Sequence, residues 1–264
     1  MAKFCSECGA ALTGSGRFCP ECGTATGNAS NEAGGPANVA PAPAPVEAVT
    51  DPDDEVWRKA DDPDMRVELA DDPSTPPDVL RQLAADPDMD MEVLSSVAEN
   101  PSTPADVLRK LATNPYGTIL SSVAANRSTP VDVLQQLARD PDSTVRRGAA
   151  GNPSLPTDVL AQLATDPDST VRSGAAGNPS LPTDVLRELA TDPDEDVARG
   201  VAWNQSTPVD VLRQLSTHDS SEVRKIVAMS SSTPADVRAQ LAADPHWDVQ
   251  RWARWLTAIT TTDG

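Results

Sequence analysis

The chain has 264 residues, with 21 Lys and Arg against 40 Asp and Glu and a formal charge of −19. That balance excludes a generally basic nucleic-acid binder. No run of 18 apolar residues occurs, which excludes a hydrophobic membrane-spanning helix, and only two His leave few candidates for acid–base catalysis near neutrality. Aromatic residues make up 3% of the chain, so any core must be packed from Ala, Val and Leu.

Residues 1–23 hold all four cysteines, in two matched knuckles. Cys5-Ser6-Glu7-Cys8-Gly9 and Cys19-Pro20-Glu21-Cys22-Gly23 give the pattern CxxC-x10-CxxC. Two residues between thiolates let both converge on one ion, and a glycine after each second Cys permits the positive φ of such a turn. Four thiolates around one tetrahedral ion is the arrangement of structural zinc, with no coordination position left for catalysis. Phe4 and Phe18 each precede a knuckle and would pack over the site. A segment this short cannot build a core, so the ion must fold it. Iron on the same Cys5, Cys8, Cys19 and Cys22 thiolates, as a rubredoxin-like site or a cluster, is the alternative, and disulfides are the third. The start of the chain lacks the apolar stretch of a signal peptide, so a reducing, cytoplasmic setting is expected, which favours metal ligation over disulfides.

Residues 24–50 are Gly, Ala, Asn, Pro and Ser with almost no large apolar side chain, and read as a flexible linker. The Pro-Ala-Pro-Ala-Pro run at 41–45 is a polyproline-II spacer.

Residues 51–256 repeat themselves. Residues 140–165 and 166–191 differ at three positions only, and the same 26-residue frame runs on in both directions as seven full units with a half unit at each end. Each unit encodes two short helices. The first is expected to start at Asp-Pro-Asp, as at Asp192-Pro193-Asp194, with the first Asp as cap and Pro in the first turn. Its apolar positions, Val197, Val201 and Ala202, follow i, i+4, i+5, and the Gly-Asn or Ala-Asn step after it is expected to end it. The second is expected to start at Thr207-Pro208-Val209-Asp210, a hydroxyl N-cap with an acid three residues on, followed by Val211, Leu212 and Leu215. Twenty of the 40 acids fall at helix starts of these two kinds, so the acidity is weak evidence for a basic partner. Residues 257–264 read as a disordered tail.

Three rows recur in register. Asn100, Asn126, Asn152, Asn178 and Asn204 fit side chains satisfying backbone in a tight turn. Arg146, Arg172 and Arg224 read as a solvated or dipole-compensating row, or else as lining a ligand face. Gln82, Gln136, Gln162, Gln214 and Gln240 read as an exposed face open to a partner. His218 stands in a slot that Asp fills elsewhere, and neither it nor His246 has the partners of a catalytic base. Trp247, Trp252 and Trp255 cluster in the last half unit, as a cap over the open core or a docking patch, while Trp57 and Trp203 read as local packing.

The stretch NPSTPADVLRKLATNP at 100–115 and its six relatives resemble the leucine-rich repeat variant family, and DPDSTVRRGAA at 140–150 is also similar to HEAT-type units. The resemblance covers about 200 residues. It implies an all-α, right-handed superhelical solenoid in which an α-helix alternates with a shorter, 3₁₀-like helix. The cysteine module resembles a short zinc ribbon, whereas a known member of the repeat family carries an iron–sulfur module of different cysteine spacing.

These features point to a non-catalytic scaffold or adaptor: a zinc-ribbon head (1–23), a linker (24–50) and a repeat solenoid (51–256) that binds a protein partner. An iron-binding, redox-linked protein and a zinc-ribbon nucleic-acid accessory factor are the alternatives. Nucleic acid is disfavoured, because residues 1–23 set Lys3 and Arg17 against Glu7 and Glu21 and form no basic patch. Metal analysis of anaerobically purified protein should give one zinc per chain and no absorbance above about 350 nm; iron with a visible band would overturn the zinc assignment.

Overall fold

The computed structural model describes residues 3–4, 11–12, 62, 65–86 and 89–262, so the four cysteines, the 24–50 linker and Trp57 lie outside the described residues. The chain divides into two units, Met1–Val49 and Thr50–Gly264. In the first, β1 (Lys3–Phe4) pairs antiparallel with β2 (Ala11–Leu12), Lys3 opposite Leu12 and Phe4 opposite Ala11.

The second unit is all helical among its described residues. In chain order its helices are α1 (Arg66–Asp71), α2 (Pro77–Ala85), α3 (Met91–Glu99), α4 (Ala105–Leu111), α5 (Gly117–Ala125), α6 (Val131–Leu137), α7 (Ser143–Gly151) and α8 (Thr157–Leu163). They continue as α9 (Ser169–Gly177), α10 (Thr183–Leu189), α11 (Glu195–Trp203), α12 (Val209–Leu215), α13 (Ser221–Met229), α14 (Ala235–Leu241) and α15 (Trp247–Thr262). Each odd-numbered helix packs along its length on the next odd-numbered one, and the even-numbered helices form a second layer against this row. None of these helices is long and apolar enough to cross a membrane.

Both layers are α-helical, which corrects the 3₁₀-like expectation for the shorter helix. The 3₁₀ character is confined to its last turn: after α8, Thr165 N–H donates to Gln162 O and Asp166 N–H to Leu163 O, three residues back. Helices of seven to nine residues are marginal alone, so packing must hold them. The expected stripes supply it: Val197, Val201 and Ala202 of α11 and Val211, Leu212 and Leu215 of α12 are all buried. So are Val145, Ala149 and Ala150 of α7 and Val159, Leu160 and Leu163 of α8. Val and Ala on the odd row keep those helices close, while Leu from the even layer fills the space between.

The caps differ from the sequence reading in a consistent way. In Asp-Pro-Asp the second Asp is the N-cap: Asp142, Asp168 and Asp194 accept from the amides of Thr144, Thr170 and Asp196 at 2.8–2.9 Å. The first Asp closes the preceding turn instead, as when Asp166 Oδ1 accepts from Asp168 N. Thr207 is no N-cap either. Its hydroxyl donates back to Val201 O at 2.6 Å, closing the end of the helix before it, and Thr75, Thr103, Thr129 and Thr233 do the same. Pro208 takes the N-cap position, with no side-chain bond to the helix.

Five odd helices, α3 to α11, end at asparagines in extended backbone, as at Asn152 (φ −78°, ψ 122°), and not at a left-handed glycine. Each asparagine spans two repeats. Asn152 Nδ2 donates to Ala124 O and Asn126 O, both at 2.8 Å, and its Oδ1 accepts from Ser154 N at 2.9 Å. Asn126 reaches Ala98 and Asn100, Asn178 reaches Ala150 and Asn152, and Asn204 reaches Ala176 and Asn178. Asn100 opens the ladder on Ala70 and Asp72. The position after Asn204 is Ser230, where the ladder stops.

At the C-terminal end Val249 and Ala253 of α15 are buried, and Trp252 packs partly buried against the same core. Trp255 is exposed and meets Trp252 edge-on at 5.6 Å, and Trp247 is exposed beside His246. One Trp therefore caps the core while two stand in solvent. The helix runs on to Thr262, past the 256 boundary expected from sequence.

Asn152→Ala should cost about 3 kcal/mol, at roughly 1 kcal/mol for each of its three hydrogen bonds, read as a lower urea midpoint. Two glycines should respond oppositely to alanine. At Gly200 the new Cβ would lie 2.9 Å from Ser173 O and 3.0 Å from Ala176 Cβ, so stability should fall. At Gly177 it meets nothing within 4 Å, so stability should rise by up to about 1 kcal/mol.

Candidate functional site

The odd-numbered helices bury one face and present the other side by side. On that outer face the repeat places Thr144, Arg147, Gly148 and Gly151 of α7, matched by Thr170, Ser173, Gly174 and Gly177 of α9. In α11 the same positions are Asp196, Arg199, Gly200 and Trp203, and in α13 they are Glu222, Lys225, Ile226 and Met229. Gly148, Gly174 and Gly200 allow close approach: a Cβ at each would sit 2.9–3.1 Å from a carbonyl oxygen of the preceding odd helix. Gly151 and Gly177 face open space. The outcome is a groove of about 760 Å³ crossing α7, α9, α11 and α13, with a bare glycine floor.

One end of the groove is apolar. Trp203 is 65% exposed there, beside Ile226 and Met229, which corrects its reading as local packing. The three residues also line an adjoining cavity of about 450 Å³ that ends on Ser230–Ser232, where the asparagine ladder breaks off. In the preceding repeat the positions of Trp203, Ile226 and Met229 are held by glycine or, for Met229, by Trp203 itself.

The charges in the groove are mostly neutralised from within. Arg199 pairs with Asp196 at 2.7 Å, one turn back on its own helix. Lys225 pairs with Glu222 and lies 3.6 Å from Asp248. Glu222 is accordingly held below the usual carboxylate range by Lys225, and Lys225 is raised by Glu222. Arg147 has Thr144 where the others have an acid, is exposed, and forms no ion pair among the described residues.

The Arg row lies elsewhere and is occupied. Arg146 grips Asp166 of the next repeat with Nε and Nη2 at 2.8 and 2.9 Å, and its Nη1 donates to Asp140 O and Pro141 O. Arg172 holds Asp192, and Arg224 holds Asp244, in the same way. These arginines line no ligand face and are not solvated; they bolt repeat to repeat. Each guanidinium holds its aspartate below the ordinary carboxylate range. Nearby, the Thr170 hydroxyl, the Ser143 hydroxyl and the Thr170 amide bring Asp168 down to about 2.

The other candidates fall into place around this. The Asn row is structural, buried and fully bonded, as read. Gln82, Gln136, Gln162, Gln214 and Gln240 are exposed on the even layer, where Gln214 reaches Ala190 O at 3.3 Å. His218 Nδ1 accepts from Ser220 N at 3.0 Å, taking over the turn-closing task of Asp. Among the described residues no cluster of His, Cys, Asp and Glu could hold a metal, and Cys5, Cys8, Cys19 and Cys22 lie outside them.

The leucine rich repeat variant family model matches residues 144–168 and 170–194. A solved leucine-rich repeat variant with a novel repetitive structural motif is 28% identical, with 67% of this chain and 70% of that one aligned at a TM-score of 0.46. An engineered protein is 20% identical over 75% of this chain and 76% of its own (TM-score 0.40). A designed armadillo repeat protein in complex with the peptide (KR)4 is 16% identical over 74% and 98% (TM-score 0.33). No curated protein matches the chain. The chain is thus similar to leucine-rich repeat variants across two consecutive repeats, within a helical-repeat solenoid.

The depressed carboxylates set the acid limb of stability. Their contribution is complete above the unfolded value near 4 and is lost as pH falls through the lower folded values. Asp192→Asn should therefore cost on the order of 3 kcal/mol at pH 7 by stranding Arg172. In urea titrations the gap to wild type should close progressively below about pH 4.

Proposed function

We propose that this chain is a non-catalytic protein-interaction scaffold whose repeat array seats an extended polypeptide in the groove across α7, α9, α11 and α13. The observation that carries the reading is the groove itself: bare at Gly151 and Gly177, and apolar at Trp203, Ile226 and Met229. Floor glycines admit a ligand backbone, and exposed aromatic and Met side chains at one end suit an anchoring side chain. Repeats of similar helices present such a surface as a continuous track. No triad or paired acid–base constellation converges there, since Asp196 and Glu222 are each held by a cation one turn away.

The N-terminal module belongs to the same proposal as a zinc-ribbon head, with Cys5, Cys8, Cys19 and Cys22 holding one structural ion. The antiparallel pairing of Lys3–Phe4 with Ala11–Leu12, which flank Cys5 and Cys8 in sequence, supports the reading. Four thiolates fit Zn²⁺ and suit a reducing, cytoplasmic setting.

Random twelve-residue peptides displayed on phage and selected against the full chain should yield binders that Gly177→Trp excludes. That variant fills the groove with the residue α11 carries at the matching position, into space that holds no other atom within 4 Å of the new Cβ. Binders indifferent to it, or none at all, would contradict the reading.

A further inference from the structure

We propose that the segment seated in this groove carries one acidic side chain, bound by Arg147, and a large apolar side chain five or six residues away, bound by Trp203, Ile226 and Met229. The inference rests on the groove being a polypeptide site and adds the chemistry of its occupant.

The repeat shows how the cation is left over. The groove position occupied by Arg147 is Ser173, Arg199 and Lys225 in the next three odd helices. Arg199 and Lys225 each have an acid three residues earlier, Asp196 and Glu222, and pair with it. Thr144 and Thr170 stand at that position in α7 and α9, so Arg147 has no intrahelical acid. Its stem lies over the bare floor, with Cγ 3.2 Å from where a Cβ of Gly174 would be. An exposed guanidinium beside a trough, in a chain of net charge −19, is a specific preference and not part of a basic surface. One planar donor fork matches one carboxylate, whereas a polyanion such as nucleic acid needs a run of cations.

The apolar end is marked by departures from the repeat that converge in space. Gly177 gives way to Trp203 and then Met229, Gly200 gives way to Ile226, and Asn204 gives way to Ser230. Together they open the cavity of about 450 Å³ next to the groove, room for one large side chain. The ladder elsewhere forbids such an opening by filling the turn with a bonded asparagine.

The spacing follows from helix packing. Arg147 and Trp203 lie two odd helices apart, about 16–20 Å at 8–10 Å per helix pair. An extended chain advances about 3.3 Å per residue, so five or six residues separate the two anchors.

Peptides selected on the full chain should share an Asp or Glu five or six residues from a large apolar residue. Fluorescence anisotropy with a synthesised binder should show Arg147→Glu weakening it about tenfold or more. The same peptide with its acid changed to Lys should bind Arg147→Glu better than wild type, which separates charge recognition from damage to the fold. Binders that Gly177→Trp excludes but that lack the acid, or ignore Arg147→Glu, would overturn this inference and leave the groove standing. Binders indifferent to Gly177→Trp would overturn both.

Discussion

A single asparagine in each of five consecutive repeats governs this structure. Its amide bonds two carbonyls of the previous repeat, and its oxygen receives the amide two residues on, as Asn178 does with Ala150, Asn152 and Ser180. A buried side chain with every bond made is costly to displace, because each partner would be left unpaired. The ladder therefore fixes where each odd helix ends and how far it sits from the last. At that distance Gly148, Gly174 and Gly200 have no room for a Cβ. Glycine at these three positions follows from the stacking, whereas Gly151 and Gly177 face open space, and the adjoining cavity lies where the rung is missing at Ser230.

Charge is used in the same way, mostly between repeats. Arg146, Arg172 and Arg224 each bind an aspartate twenty residues on, in nearly buried bidentate pairs. Where the arginine is missing the acid changes with it in two places: Ala198 goes with His218, and Leu94 with Asn114. The replacements keep the turn bond, with Ser220 N–H donating to His218 Nδ1 and Tyr116 N–H to Asn114 Oδ1, while avoiding an unpaired carboxylate in a half-buried slot. On the even layer Arg81, Arg187 and Arg213 bridge to Asp106, Asp210 and Asp236 across exposed gaps, where each pair contributes little. Much of the acidity thus has a partner inside the molecule.

The period, the two-helix unit, the apolar stripes and the role of the asparagines were legible in the sequence, because a 26-residue repeat writes each constraint several times. The exact caps were not. Thr207 and Asp192 fit an N-cap by spacing alone, and only the three-dimensional turn shows Thr207 bonding backward and Asp192 bonding to Arg172. The arginine row was misread for a similar reason: its partner lies twenty residues away, outside any helical spacing. The groove was missed because its signal is a lack of side chains at Gly151 and Gly177, together with breaks in the pattern at Trp203, Ile226, Met229 and Ser230.

A ladder that sets the stability of the array leaves the C-terminal repeats weaker where its rung is lost at Ser230. Amide hydrogen exchange of the Ser230→Asn variant tests it most directly. The added amide lies in register to reach Ala202 O and Asn204 O, as Asn204 reaches Ala176 O and Asn178 O. Protection in α11–α14 should rise toward that of the α7–α9 repeats. Unchanged or lower protection would show that helix packing alone holds the array and that the ladder is incidental.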